Sequence, residues 1–254
     1  MQKFATLISF ISIMFSQNSM ADVTGLLEQV AKAYGGQEHI STVKSFRQFG
    51  NTFSSIRMKE GRIMRAYGYP DHLRVEIKYN EHASELRILA GPQAWKQDQP
   101  AGDPFYSAML LQAARLGIPA ILFEHHKQLR DIGTITGIEG ETLNALELKF
   151  HGKLRIVVGI DPESGRILES NGILQMNGNE MVFGTTYADF RLQDGRIFAF
   201  EEGHYAMGNK TGHTNIERIE VSTELPEELF HPQESDISES DIMANINIMP
   251  QSYN

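Results

Sequence analysis

Roughly ten stretches of this chain read as strands, and most of the turns between them are too short to join anything but antiparallel neighbours. The strands predicted from pattern are Ser45 to Phe53, Ile56 to Tyr67, Leu73 to Tyr79, Ser84 to Ala90 and Leu143 to Phe150, then Leu154 to Ile160, Ile167 to Met176, Met181 to Leu192, Ile197 to Tyr205 and Asn215 to Thr223. Turn chemistry separates them at Glu60-Gly61, Asp161-Pro162-Glu163-Ser164-Gly165, Asn177-Gly178-Asn179, Asp194-Gly195 and Gly208-Asn209. Without βαβ alternation the expectation is one large meander, and a sheet of that size curls or splits. Period two is clearest where Leu73, Val75, Ile77 and Tyr79 alternate with Arg74, Glu76 and Lys78, which predicts a strand with one wet face. A curved sheet needs apolar side chains on its concave side. Leu154, Ile156, Val158 and Ile160 supply them on one strand, Phe190 and Leu192 on another. Pattern alone leaves open whether that face is packed solid or encloses a cavity.

One block breaks the run of strands. From Pro104 to Phe123 the pattern is helical and apolar, with Asp103 as a suitable N-cap and Met109, Leu110, Ala113, Leu116 and Gly117 leading to Pro119. The proline divides the block into two short helices, the second carrying Ile121, Leu122 and Phe123 after Ile118. Two readings follow, a plug filling one end of a barrel or a movable lid over a cavity, and both place these side chains over the sheet. A further helix opens the globular part: Val23, Leu26, Leu27, Val30, Ala31 and Tyr34 form one stripe, and Gly35-Gly36 stops it.

The first residues predict the compartment. Lys3 gives a positive start, Phe4 to Phe15 form an apolar run shorter than the ~20 residues a spanning helix needs, and Ser19-Met20-Ala21 fits signal-peptidase cleavage. Residues 1–21 are therefore expected to be a signal peptide for export to the periplasm. With no cysteine in the sequence, no acylated anchor and no disulfide is available. The formal charge of -9 includes Lys3, and the leader holds no acid, so the mature chain stands at -10. Interspersed Lys, Arg, Glu and Asp without a basic stripe disfavour nucleic acid and anionic membrane surfaces as partners. Residues 22–232 are expected to form one domain. The tail 233–254, with Glu234, Asp236, Glu239 and Asp241, lacks a core-forming pattern and is expected to be mobile.

Catalytic patterns are weak. No phosphate loop, dinucleotide fingerprint or nucleophile elbow occurs, and Glu124-His125-His126 lacks the i, i+4 spacing of a helical zinc site. Asp161, Asp189 and Asp194 lie in or beside predicted turns. The expectation is a non-enzyme without cofactor or metal, a hydrolase being the remote alternative. Trp95, the single tryptophan, reads as a core or rim anchor or as a ligand contact, and Met58, Met64, Met109, Met176 and Met181 suit an adaptable pocket or ordinary gap-filling.

Several stretches, in order and spacing, resemble the LolA-like outer-membrane lipoprotein carrier and sorting proteins. They are Tyr34-Gly35-Gly36 leading to Val43-Lys44-Ser45 and Gly50, then Pro70 to Glu76, Gly91 to Trp95, Ile160 to Gly165, Tyr187 to Arg191, Asp194-Gly195 and Leu225 to Phe230. The likeness spans Val23 to Pro232. It implies an α+β, mainly antiparallel fold: a curled, unclosed β-barrel of roughly ten strands with an N-terminal helix and a helical lid. It further implies a monomer that takes acyl chains of a lipoprotein or a free lipid from an inner-membrane donor complex to an outer-membrane acceptor. Lipid-binding candidates are then Met109, Leu110, Leu116, Ile118, Ile121, Leu122 and Phe123 in the lid, Val75, Ile77, Ile156 and Val158 on the sheet, and Trp95. Carriers of this family hold the lid closed with a strand arginine, and among Arg57, Arg62, Arg65 and Arg74 no motif assigns it. The rival reading is an envelope-sensing or assembly module on the same shell, without carrier activity.

Overall fold

A computed structural model describes residues 19–42, 44–79, 83–152 and 154–232. Most of the predicted signal peptide, Val43 and the acidic tail 233–254 lie outside these residues. Six strands lead away from the middle of one sheet to its first edge: β1 (Ser45–Ser54), β2 (Lys59–Gly68), β3 (His72–Tyr79), β4 (Glu85–Ala90), β5 (Gln93–Lys96) and β6 (Gln99–Pro100). Seven more return from the opposite edge: β7 (Leu129–Thr136), β8 (Thr142–Phe150), β9 (Leu154–Ile160), β10 (Ile167–Met176), β11 (Asn179–Gln193), β12 (Arg196–Ala206) and β13 (Asn209–Ser222). The expected single meander is thus two meanders joined where β1 pairs with β13. Thirteen strands stand where pattern suggested about ten. Two of the additional strands, β5 and β6, span only four and two residues. The third, β7, is a half-exposed edge whose burial has no period of two.

Strands β6 and β7 do not pair, so the sheet is unclosed. The chain crosses from one edge to the other through α3 (Phe105–Leu116) and α4 (Ala120–Glu124), split at Pro119 as expected. Helix α3 touches β3, β4 and β5 on one side and β9 and β10 on the other, which requires the sheet to curl around it. Helix α1 (Ser19–Ala33) packs on β7 with Val23, Leu26, Leu27 and Val30 buried. Gly35, at φ +86, ends it, and the Gly36 N–H donates to Ala31 O at 2.7 Å. A short α2 (Gln37–Ser41) then lies against α4. No described helix is long and apolar enough to cross a membrane.

Three local expectations are corrected. Glu60-Gly61 lies inside β2, and the turn falls at residues 55–58, where Met58 takes φ +51. A Cβ at Gly61 would stand 2.9 Å from Lys78 O, so it is cross-strand closeness that requires glycine there. On β11, Asp189 adopts φ +49 and breaks the alternation: Phe190 joins the core periphery while Leu192 is 69% exposed. The supposed wet face of β3 is dry. Arg74 and Glu76 are only 3% and 6% exposed because the segment after β13 folds back over the convex side, with a 3-10 turn (Glu227–Phe230) on β3 and β4. Arg74 Nη1 donates to Leu229 O at 3.3 Å and His231 O at 3.4 Å, and Nη2 donates to Glu76 Oε2 at 3.3 Å. These bonds offset the desolvation of a buried charge.

The sheet is therefore covered on both sides around β2 to β5. The main core lies between the concave face and helices α1, α3 and α4, and a smaller one gathers Met64, Ala66, Ile88, Trp95 and Phe230 under the convex flap. Phe230→Ala is expected to cost about 3 kcal/mol in urea unfolding and to red-shift Trp95 emission by admitting water. An unchanged emission maximum would mean that the flap does not shield the indole.

Candidate ligand cavity beneath the helical strap

Helices α3 and α4 are held down by shape and by arginine bonds between helix and sheet. Met109, Leu110, Leu111, Ala113 and Ala114 face the core, as the 3.6-residue period dictates. Gly172 on β10 lets α3 approach closely, since a Cβ there would come within 3.3 Å of Leu111 Cβ. Asp103 does not cap the helix through its backbone. Pro104 is the N-cap residue, and the Asp103 carboxylate accepts from the Ser107 hydroxyl at 2.6 Å. One turn after Leu111, Arg115 reaches the sheet and its Nη1 donates to Phe183 O and Thr185 Oγ1, both at 2.9 Å. Burial lowers the Arg115 pKa, yet a guanidinium remains charged in any protein.

The four early-strand arginines have other duties. Arg57 pairs with Glu85 at 2.9 Å, Arg62 with Glu217 at 2.7 Å, and Arg74 serves the convex flap. Arg65 faces inward but meets Glu202 of β12, donating through Nη1 and Nη2 at 2.7 and 2.8 Å. The strand arginine that does reach the helices is a fifth one, Arg87 of β4, whose Nη1 donates to Gln112 Oε1 of α3 at 3.5 Å, and Arg115 adds the reverse arrangement, from helix to strand.

Between α3 and α4, the joint from Leu116 to Ala120 roofs a cavity of about 420 Å³, partly open to solvent, with Tyr34, Phe46, Tyr67 and Phe198 among its walls. Gly117 is obligatory at this joint, because a Cβ would sit 2.3 Å from Tyr67 Oη. A second compartment of about 470 Å³ shares Tyr34, Phe46, Leu116, Ile118, Ile197 and Phe198 with the first and adds Gln48, Arg115, Tyr187 and Glu202. Much of that space is open to solvent: water-sized guests have only about 40 Å³ in the first and about 60 Å³ in the second, well below the roughly 300 Å³ of small-molecule sites. The first is aromatic and aliphatic and the second has a polar floor.

That floor is electrostatically ordered. Burial pushes the Glu202 pKa up, but the Arg65 guanidinium outweighs it and holds the carboxyl below the usual range. Burial lowers His204 to about 4, partly opposed by Glu202, and its Nε2 lies 2.8 Å from Thr214 Oγ1. The Tyr187 hydroxyl is pushed up to about 12 by burial and lies 2.7 Å from Ser170 Oγ. Among the residues that line the two compartments, two polar atoms have no partner. Gln48 Oε1 and Tyr67 Oη are buried without a hydrogen bond, on residues only 5% and 1% exposed.

The candidates from sequence divide into three groups. Met109, Leu110, Ile121, Leu122, Val75, Ile77, Ile156 and Val158 all belong to the main core. Leu116 and Ile118 line the cavity, and Phe123 borders a shallow groove with Tyr69 and Glu124. Trp95 is on the opposite side of the sheet, in the convex cluster, where its ring centroid is 5.9 Å from that of His231. Pattern missed Phe46, Gln48, Tyr67, Tyr187 and Phe198. It also passed over Arg115, although a charge one turn after Leu111 on an apolar helical face was the available signal. Among the described residues no group of His, Asp and Glu is arranged to hold a metal.

No family model matches the sequence, and no curated protein matches it. Solved structures do match. A LolA superfamily protein from Nitrosomonas europaea superposes with a TM-score of 0.52 at 13% identity, over 82% of this chain and 96% of that one. A DUF1329 family protein from Desulfovibrio piger gives 0.50 at 7% identity, over 82% and 97%. An outer membrane lipoprotein-sorting domain from Vibrio parahaemolyticus covers 88% and 99% at 9% identity, but at 0.44 it superposes too loosely to add weight. The chain has a LolA-like fold, mostly antiparallel, curled and unclosed.

Two outcomes follow from this geometry. Arg115→Met is expected to raise hydrogen exchange throughout α3 and to lower stability by about 2 kcal/mol, since a charged donor to buried acceptors is lost; unchanged exchange in α3 would remove the arginine's holding role. For His204, the unfolded ring takes up its proton near pH 6.5 and the folded ring only near 4. Between those values the unfolded state binds more protons, so stability falls as pH drops from about 6.5 to 4 and is level in this group outside that window. His204→Gln should shrink the difference between urea unfolding at pH 7.5 and 4.5 by about 1 to 2 kcal/mol, allowing for partial solvent contact. An undiminished difference would assign the acid sensitivity to other groups.

Proposed function

We propose that this chain binds acyl chains beneath its helical strap and serves lipid or lipoprotein handling in the periplasm, as a carrier and not as an enzyme. The observation that carries the reading is the strap itself. It spans the open seam of the sheet and roofs an apolar cavity at its joint, where Leu116 and Ile118 meet Phe46 and Phe198. Each buried methylene contributes about 0.8 kcal/mol, so one chain of lipid length binds firmly enough for carriage and weakly enough for release at an acceptor. The Arg115 contacts are few, and a longer ligand gains room if α3 and α4 lift as a unit. Residues 22–232 act as that single domain, released by cleavage of the leader. Donor and acceptor complexes in the two membranes are the partners this reading calls for.

Mass spectrometry of organic extracts from the purified protein is expected to find co-purified lipid, and a fluorescent fatty acid is expected to bind. Clean protein that also refuses the fluorescent fatty acid would sink the reading and leave a sensing or assembly module with a vestigial cavity. Ile118→Asp, at the partly exposed joint, should weaken acyl binding at least tenfold with stability changed by about 1 kcal/mol or less. Leu122→Asp serves as the contrast. Leu122 is fully buried, so that change should cost several kcal/mol of folding.

A further inference from the structure

The floor of the second compartment poses a problem for an acyl chain entering tail first. Its terminal methyl would press on Gln48, Arg115 and Glu202 and leave the buried Gln48 amide oxygen without a hydrogen bond. The chains of a lipoprotein can enter only in that sense, because their other end is attached to protein. We infer that the ligand is a free single-chain amphiphile with an anionic head, held head inward at Gln48 and Arg115 with its tail in the aromatic compartment. This rests on the acyl-binding reading above.

Three observations support it. The two compartments share six wall residues, so a head on the polar floor directs the tail toward Phe46, Phe198 and Ile118. Two guanidinium groups share one carboxylate on the floor: both Glu202 oxygens are bonded to Arg65, while Arg115 feels that carboxylate only through space and donates to neutral acceptors, Leu111 O, Phe183 O and Thr185 Oγ1. Its Nη2 donates to no described residue and is free for a carboxylate or phosphate oxygen. Finally, the Gln48 side chain faces this compartment with an unpartnered amide oxygen, and Tyr67 faces the other with an unpartnered hydroxyl. Buried polar groups are rarely left so without a ligand or water to satisfy them. With a carboxylate on Arg115, the Gln48 amide turned over donates its N–H to the second carboxylate oxygen, and with a phosphate monoester the phosphate hydroxyl donates to the Gln48 amide oxygen.

The test is competition against bound cis-parinaric acid on the full-length mature protein, with every competitor below its micellar concentration. Hexadecanoic acid and a lysophosphatidic acid of equal chain length should each displace the probe at least tenfold better than methyl hexadecanoate or hexadecyltrimethylammonium, because charge-assisted bonds to the guanidinium form only with the anions. Acetate and inorganic phosphate should not displace it. Gln48→Leu should reduce the preference for acid over ester at least twofold while leaving the melting temperature equal or higher, since it removes an unsatisfied buried group. Equal displacement by acid and ester, or preference for the ammonium, overturns the head-inward placement and leaves acyl binding standing. Displacement by acetate or phosphate alone overturns it as well, by making the floor a free-anion site. A protein that binds neither probe nor ester refutes both readings together.

Discussion

The fold depends on a sheet that curls without closing. Because β6 and β7 stay unpaired, their backbone groups and the apolar concave face need cover, and exposed sheet edges invite pairing with other chains. Helix α1 packs on β7, and the connection between β6 and β7 covers the concave face, where α3 meets β3, β4, β5, β9 and β10. Its length and apolar face are set by the task of crossing from one edge to the other, and Gly172 and Arg115 set how deep it sits. The cavity arises where the strap bends. A continuous helix could not leave the pocket that Gly117 and Pro119 create between α3 and α4.

The interior is not uniformly oily. Under α3 it is, with Leu73, Val75, Leu148 and Ile156 in one cluster, but the concave centre carries Arg65, Glu202, His204 and Thr214. Buried ion pairs add little net stability, and removing one partner costs much. Their retention in the cavity wall fits a surface built for recognition more than one built for packing. The convex side repeats the arrangement on a smaller scale, with Arg74 and Glu76 sealed beneath the returning segment.

Much of this was readable in the chain. Leu154, Ile156, Val158 and Ile160 are an inward row as their alternation predicted, and Pro119 divides the strap as its chemistry requires. What escaped reading had physical reasons. Strands β5 and β6 are too short to show a period, and β7 is an edge with both faces partly wet. The alternation along β3 gave the right inward face and the wrong outward environment, because burial of Arg74 depends on residues 155 and 157 positions away. In the site, Ile118 and Leu116 were legible from hydrophobic spacing, whereas Gln48, Tyr67 and Phe198 meet only through the pairing of distant strands. Trp95 looked like a ligand contact because aromatic character does not reveal which side of a sheet it occupies.

The pairing of β1 with β13 places the first and last strands of the chain side by side at the middle of the sheet, with Ser45 opposite Ser222. During synthesis β1 and β2 exist long before β13 does. At about 5 to 20 residues per second the intervening chain takes on the order of ten seconds to appear. Throughout that interval one side of β1 is an open edge, although in the finished molecule it is paired on both sides. The centre of this sheet thus begins life as its most vulnerable margin, and that margin stays open until the chain's own C-terminal strands arrive.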